Sequence, residues 1–358
     1  MRMFARLARV PTLMVAVIVL AAGASSAPHR QSSPQPILVT FDRSEADAAL
    51  AILNQLNSGG SPSQAQLSAL FGSTPYHRLH ERAAAIGNPF TDDEFLARLS
   101  APGMRAKAAA LARTLKGWKF RNVSEAASAA LVYLPRGSTL RATIFPLIKS
   151  SANTFVFDVQ GDPAIFYTIN PDETDAKVAN TLAHELHHIG LGQNCAKSDP
   201  IDSTPEGKLR KWVSAFGEGL AMLAAAGGPQ VHPHAHSKAA ERALWDSELA
   251  KASEYLSQQN DFFLAVLNGS AGDDPSIDKA MFAYFGEAQG PWYTVGYRMA
   301  VTIEEQFGRD AVIDAFCRPP TLLATYNRAA EAHNRGQGLP LPLWDHRLVG
   351  AIAGKVVP

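Results

Sequence analysis

The chain is short of several things, and each shortage excludes a class of protein. It carries no net charge, with 33 Lys+Arg against 33 Asp+Glu. A nucleic-acid binder wants a basic stripe, and an anionic membrane surface wants a basic face, so neither is the expected partner. Only 18% of the residues are charged, whereas 46% are hydrophobic. That balance provides a buried core and excludes general disorder. Gly and Pro, at 26 and 23, are ordinary counts, which excludes collagen-like and low-complexity chains. There is no internal repeat. Two cysteines, Cys195 and Cys317, allow one intrachain disulfide at most. The 358 residues suffice for one large domain or two modest ones.

Long apolar runs are also missing. The one at residues 10–22 (VPTLMVAVIVLAA) falls short of the ~18–20 residues that a membrane span needs. Arg2, Arg6 and Arg9 precede it without any acid, and Ala22-Gly23-Ala24 follows as a small-x-small cleavage pattern. Residues 1–24 therefore read as a secretory signal peptide. The expected product is an exported protein, periplasmic or secreted, with no stable membrane insertion after cleavage. No cysteine follows the apolar run to take a lipid. Cleavage would leave a mildly acidic chain of 30 basic and 33 acidic side chains. In an oxidising compartment Cys195 and Cys317 are free to pair, and a disulfide is preferred over two separate buried thiols. Closing so long a loop is worth ~4–5 kcal/mol, less any strain.

What is present is mainly helical. The Ser/Pro/Gln-rich start makes 25–40 a flexible mature N-terminus. Residues 41–130 form a helical N-terminal region. Ser44-x-x-Asp47 resembles a helix opening, Thr74-Pro75 a cap followed by proline, and Thr91-x-x-Glu94 a capping box. From 131 to 170, LVYL, LRATIFPLI, TFVFDV and AIFYTIN are β-branched and aromatic runs separated by turn residues. They predict three or four strands in a small mixed or antiparallel sheet. After Pro171 the signals are helical again. The fold class is α+β, with residues 131–358 expected as one domain.

One motif carries chemistry. Thr181–His188 (TLAHELHH) contains His-Glu-x-x-His on a segment that is independently helical. Asp172 can cap it, Val178, Leu182, Leu186 and Ile189 form its apolar stripe, and Gly190 and Gly192 offer a stop. His184 and His188 then lie one turn apart on the same face and can converge on one Zn²⁺. Glu185 points beside them and is placed to take a proton from metal-bound water. A catalytic zinc needs a third protein ligand and an open position. The extended metzincin pattern would require Gly and His where the chain has Leu191 and Asn194. A carboxylate from a second helix is the alternative. Glu218 is the lone charge in the middle of the apolar run Lys208–Ala226, a costly placement unless it is paired or metal-bound. Gly217 and Gly219 flank it and would allow close approach to the metal helix. Glu206, in a loop-like Pro-Glu-Gly, is the runner-up.

His184-Glu185-x-x-His188 followed by a helical Glu218-Gly219-Leu220-Ala221 resembles the gluzincin class of zinc metallopeptidases, and especially poorly characterised bacterial families of zinc-dependent peptidases. Tyr293-Thr294-Val295-Gly296-Tyr297, the opening Phe41–Ala46 and the Tyr76…Arg82 helix are similar to theirs. The resemblance implies a zincin-like fold with a sheet packed on the metal helix, a single catalytic zinc and a peptide or protein substrate. It also implies a downstream donor for the developing oxyanion, for which Tyr293 and Tyr297 are candidates and Arg298 a weaker one. The chain departs from the thermolysin-like pattern at Met222, where an Asp would orient a histidine.

Other features have blander readings. His187 faces away from the metal and is packed or exposed. His232, His234 and His236 around Pro233 are solvated turn residues rather than ligands. Trp212, Trp245 and Trp292 belong to the core. Three rivals stay open: a zinc-bound scaffold without turnover, a helical interaction protein in which the motif is coincidental, and a zinc hydrolase of a non-peptide amide or ester.

Overall fold

The computed structural model describes residues 37–118, 120–151, 153–159, 161–195, 203–286, 289–336 and 339–354. The signal-peptide reading of 1–24 and residues 25–36 of the flexible start lie outside these; residues 37–40, expected to be flexible, are instead part of the strand Ile37–Phe41, paired into the sheet. The architecture is mainly helical with one four-stranded sheet, α+β as the sequence implies. No helix among the described residues is long and apolar enough to cross a membrane.

The chain forms two compact units, and they do not divide at 130/131. One unit runs to Phe120 and takes in Arg141–Asp172; the other contains Arg121–Leu140 and everything from Glu173. The strands are thus grouped with the N-terminal helices rather than with the residues beyond 172. The first unit contains β1 (Ile37–Phe41), α1 (Ser44–Asn57), α2 (Gln64–Phe71), α3 (Thr74–Ala85), α4 (Asp92–Leu99) and α5 (Pro102–Gly117), then β2 (Leu140–Leu147), β3 (Phe155–Phe157) and β4 (Ala164–Thr168). The sheet order is β1-β2-β4-β3, with β2 and β4 parallel and β3 antiparallel to β4. It is a mixed sheet, one of the two arrangements the sequence leaves open.

Local chemistry explains the helix starts. The capping box Thr91–Glu94 is formed on both sides, and a second one, Ser63–Gln66, opens α2. At α3 the cap is Ser73, one residue before the expected Thr74, because its hydroxyl accepts from the Tyr76 amide. At α1 the Asp42 carboxylate, not Ser44, receives the first free amide. Ile52, Leu53, Leu70, Leu111 and Leu115 pack with Phe145, Ile148 and Phe166 into this unit's core.

Glu45 lies at the start of α1 within that core, fully buried. One carboxyl oxygen accepts from the Ile148 amide at 3.0 Å and the other has no partner. Burial pushes its pKa up to about 8 against the lowering effects of that bond and of Lys149. Between its unfolded value of 4.5 and about 8 the folded chain binds more protons than the unfolded one. Glu45 therefore costs nothing below the lower value, and its cost grows as pH rises towards the upper one, at ~1.4 kcal/mol per pH unit. Glu45→Gln is expected to match the parent in stability near pH 4.5 and to exceed it by roughly 4 kcal/mol at pH 8. Urea unfolding of both proteins across this range checks it. A constant difference between them would show that Glu45 ionises normally.

The second unit is built of α6 (Phe120–Val132), α7 (Asp175–Asn194), α8 (Pro205–Val213), a 3₁₀ turn (Ser214–Phe216), α9 (Gly217–Ala226), α10 (Ala239–Ala250), α11 (Ala252–Leu267), α12 (Asp274–Ala283), α13 (Pro291–Phe307), α14 (Arg309–Cys317), α15 (Pro319–Arg335) and α16 (His346–Ile352). The LVYL run, expected as a strand, is the end of α6 and the turn after it; its residues follow the helical period of Val123, Ala127 and Ala130 beneath them. Trp212, Trp245 and Trp292 are core residues here, with Phe216, Phe263 and Trp344. Cys195, at the end of α7, is bonded to Cys317, at the end of α14, across 122 residues of sequence.

Candidate metal centre

α7 presents the histidines. Thr174 caps it, its hydroxyl accepting from the Lys177 amide, so the cap lies two residues beyond the expected Asp172. Gly190 and Gly192 do not stop the helix, which continues to Asn194. A Cβ on Gly190 would come within 2.2 Å of a Leu134 methyl, so this glycine serves packing rather than termination. The helix is fixed on its far side. His187 is fully buried, and its Nε2 donates to the Tyr133 carbonyl at 3.1 Å. Burial holds its pKa down at about 3, so it stays neutral. Asn194 exchanges two hydrogen bonds with the Thr139 backbone, and the Asn180 amide donates to the Ala225 carbonyl of α9.

α9 presents the carboxylate. The run Lys208–Ala226 is not one helix but two joined by the 3₁₀ turn at Ser214–Phe216, and Gly217 opens the second. Glu218 is therefore in the first turn of α9, not mid-helix, where the helix dipole favours a negative charge. Gly219 permits a close approach, but to α13: a Cβ there would lie 1.9 Å from the Tyr297 amide nitrogen. A Cβ on Gly217 would meet nothing within 4 Å. Glu206 is also helical, in the first turn of α8 behind the cap Thr204, and is outside the ligand cluster.

Three ligand atoms converge. His184 Nε2 and His188 Nε2 are 3.0 Å apart, and Glu218 Oε2 is 3.2 and 3.1 Å from them. Two imidazole lone pairs and a carboxylate oxygen aimed at one point cannot satisfy each other without a proton or a cation among them. A tetrahedral zinc with bonds of ~2.0–2.1 Å keeps its ligands roughly 3.3 Å apart, within a few tenths of an ångström of this triangle. Two nitrogens, one oxygen and an open side are the donor set of a catalytic zinc. Without the cation, Glu218 serves as the counter-charge. Although burial opposes the charge on His188, Glu218 and Glu185 hold its pKa up at about 9. Glu218 in turn sits far below the usual carboxylate range: burial opposes this, but the two histidines outweigh it. His184 Nδ1 is buried without a partner, so the acid missing at Met222 is not replaced from elsewhere among the described residues.

Glu185 follows the first ligand and is 8% accessible. Burial raises its pKa against the lowering influence of His184 and His188. A carboxylate poised to take up a proton is what a general base requires. The two tyrosines separate. The Tyr293 ring stacks on His184 at 6.3 Å and 17°, and burial together with Glu218 and Glu185 raises its phenol pKa. Tyr297, one turn later, packs edge-on against Trp245 at 5.3 Å, and the Arg298 charge acts on Tyr297 and Tyr326.

The position of His234 departs from the expectation. It is buried, not a solvated turn residue, because Trp245 packs against its ring at 5.5 Å. Its Nδ1 meets the Ser237 hydroxyl and its Nε2 the Gln289 amide, while Lys177 of α7 donates to the same Ser237. His232 pairs with Asp246, and only His236 is exposed. Nothing in the alternation of histidines around Pro233 indicates this.

The family model described as "Putative zinc dependent peptidase (DUF5700)" matches residues 105–335, and the chain belongs to that family. The match spans α7, α9 and α13 and therefore every residue of the cluster. No curated protein and no solved structure matches the chain.

Proposed function

We propose that the protein is a zinc metallopeptidase with a zincin-like catalytic centre, exported by the signal sequence at 1–24 and acting on peptides or proteins. The observation that carries this is the triangle of His184, His188 and Glu218 with Glu185 buried beside it. Those three residues would hold one zinc ion. When bound, zinc lowers the pKa of a water towards ~7 and polarises a carbonyl oxygen. Glu185 then takes the proton of the attacking water and delivers it to the leaving amine, using the affinity for protons that burial gives it. Tyr293, its phenol kept neutral by burial and by the nearby carboxylates, is the hydrogen-bond donor to the oxyanion. His187 and Asn194 hold the helix that bears the ligands.

Glu185→Gln tests the assignment. It removes the proton acceptor and leaves all three ligand atoms, so zinc content should stay at that of the parent while cleavage of a peptide library falls by at least ~10²-fold. Hydrolysis at the parental rate by this variant would remove Glu185 from the mechanism. Full zinc content with no cleavage by the parent would favour the scaffold.

A further inference from the structure

The first unit contains a cavity of about 490 Å³ bounded by α3, α4 and the turn that follows β2. Its lining is mixed. The apolar part is aromatic: Phe90 stacks on Phe95 at 5.8 Å, and Phe155 lies opposite on the edge strand β3. Three cations line the same space. Arg82 lies over the Phe155 ring at 3.9 Å and Arg98 over Phe90 at 5.5 Å. Among the described residues neither guanidinium has a hydrogen bond or an ion pair. Lys149 is held by neutral oxygens only, from Ser151 and Asn153. The single acid in the lining, Glu94, is already engaged by the Thr91 amide in the α4 capping box. Burial first, and then the Arg82 charge, pull the Lys149 pKa down to about 8 against the opposing influence of Glu45.

Guanidinium groups stacked on aromatic rings keep their N–H donors free in a fixed plane, the arrangement that receives a carboxylate. The volume is that of a small-molecule site. We propose that this cavity binds a small organic carboxylate with an apolar body, its head held by Arg82 and Arg98 and its body lying against Phe90, Phe95 and Phe155. A free organic acid and the C-terminus of a short peptide share this chemistry. The proposal stands independently of the metal reading.

Calorimetric titration of the full-length protein tests it. 3-Phenylpropionate is expected to bind at one site at least tenfold more tightly than 3-phenylpropanamide, which has the same body without the charge. Arg82→Gln and the surface variant Arg98→Gln should each weaken the acid about tenfold or more while leaving the unfolding midpoint in place. N-acetyl-Leu-Phe with a free carboxylate identifies the source: tighter binding than 3-phenylpropionate assigns the cavity to peptide ends, weaker binding to free acids. Because carboxylates also ligate zinc, Glu218→Ala serves as a control and should bind 3-phenylpropionate like the parent. The proposal is overturned if acid and amide bind alike, if Arg98→Gln binds like the parent, or if Glu218→Ala abolishes binding.

Discussion

Glu218→Ala is expected to lose zinc under dialysis conditions in which the parent retains one equivalent. Partners that merely support a metal ligand cost 10–100-fold in affinity when removed. Loss of a ligand should exceed that range, so a drop of at least ~10²-fold is expected in competition with a chromogenic chelator. Glu206→Ala, altered in the first turn of α8 and outside the cluster, should bind zinc like the parent. The pH dependence is a second, independent signature. In the metal-free protein Glu218 and Glu185 hold His188 protonated up to about 9. Zinc must displace that proton, so its affinity rises with pH by about tenfold per unit and levels off near pH 9. Removing Glu218 takes away the main support for that proton, and the levelling should move to lower pH. Full zinc stoichiometry in Glu218→Ala would place the third ligand elsewhere.

The candidate metal centre is the most legible part of the chain. His184, Glu185 and His188 are fixed by a helical period that short-range residues enforce, and Glu218 stands out because it is the one charge between Lys211 and the end of the apolar run at Ala226. What the sequence did not show is how the elements are held. His187 anchors α7 to the Tyr133 carbonyl, a contact between residues 54 apart in sequence, and no local pattern encodes it. Sequence likewise does not choose between Tyr293 and Tyr297: one turn apart, they share a helical face, yet one ring lies against His184 and the other against Trp245. Helix ends were misplaced by one or two residues wherever two capping side chains competed, as at Ser73 and Thr74. The strand reading of LVYL failed because β-branched and aromatic residues also suit a buried helix end, which periodicity cannot distinguish over four residues.

The glycines flanking Glu218 give the largest expected change in stability, and they act in opposite ways. At Gly219 an added Cβ would lie 1.9 Å from the Tyr297 nitrogen and 2.2 Å from the Gly296 carbonyl carbon. At Gly296 it would lie 2.3 Å from the Phe216 carbonyl oxygen. The atoms struck are backbone, so no rotamer change relieves the clash, and α9 and α13 must move apart as whole helices. Overpacking against side chains costs ~1–3 kcal/mol; against two helix backbones the expected loss is about 4 kcal/mol or more. Gly217 has open space around it and a right-handed helical φ of −55°. Gly217→Ala should therefore be neutral or stabilise by up to ~1 kcal/mol, by restricting the unfolded chain. Urea unfolding of the three alanine variants separates these outcomes, and equal stabilities would refute the close helix contact. The chemical consequence follows from position. Glu218 precedes Gly219, and Tyr293 lies one turn before Tyr297, so the contact that forbids a Cβ also sets the distance between carboxylate and phenol. Any Gly219→Ala protein that does fold should lose zinc affinity and turnover together, since displacement of reacting groups by ~1 Å costs ~10²-fold in rate. Gly217→Ala, one residue from the same carboxylate, should retain both.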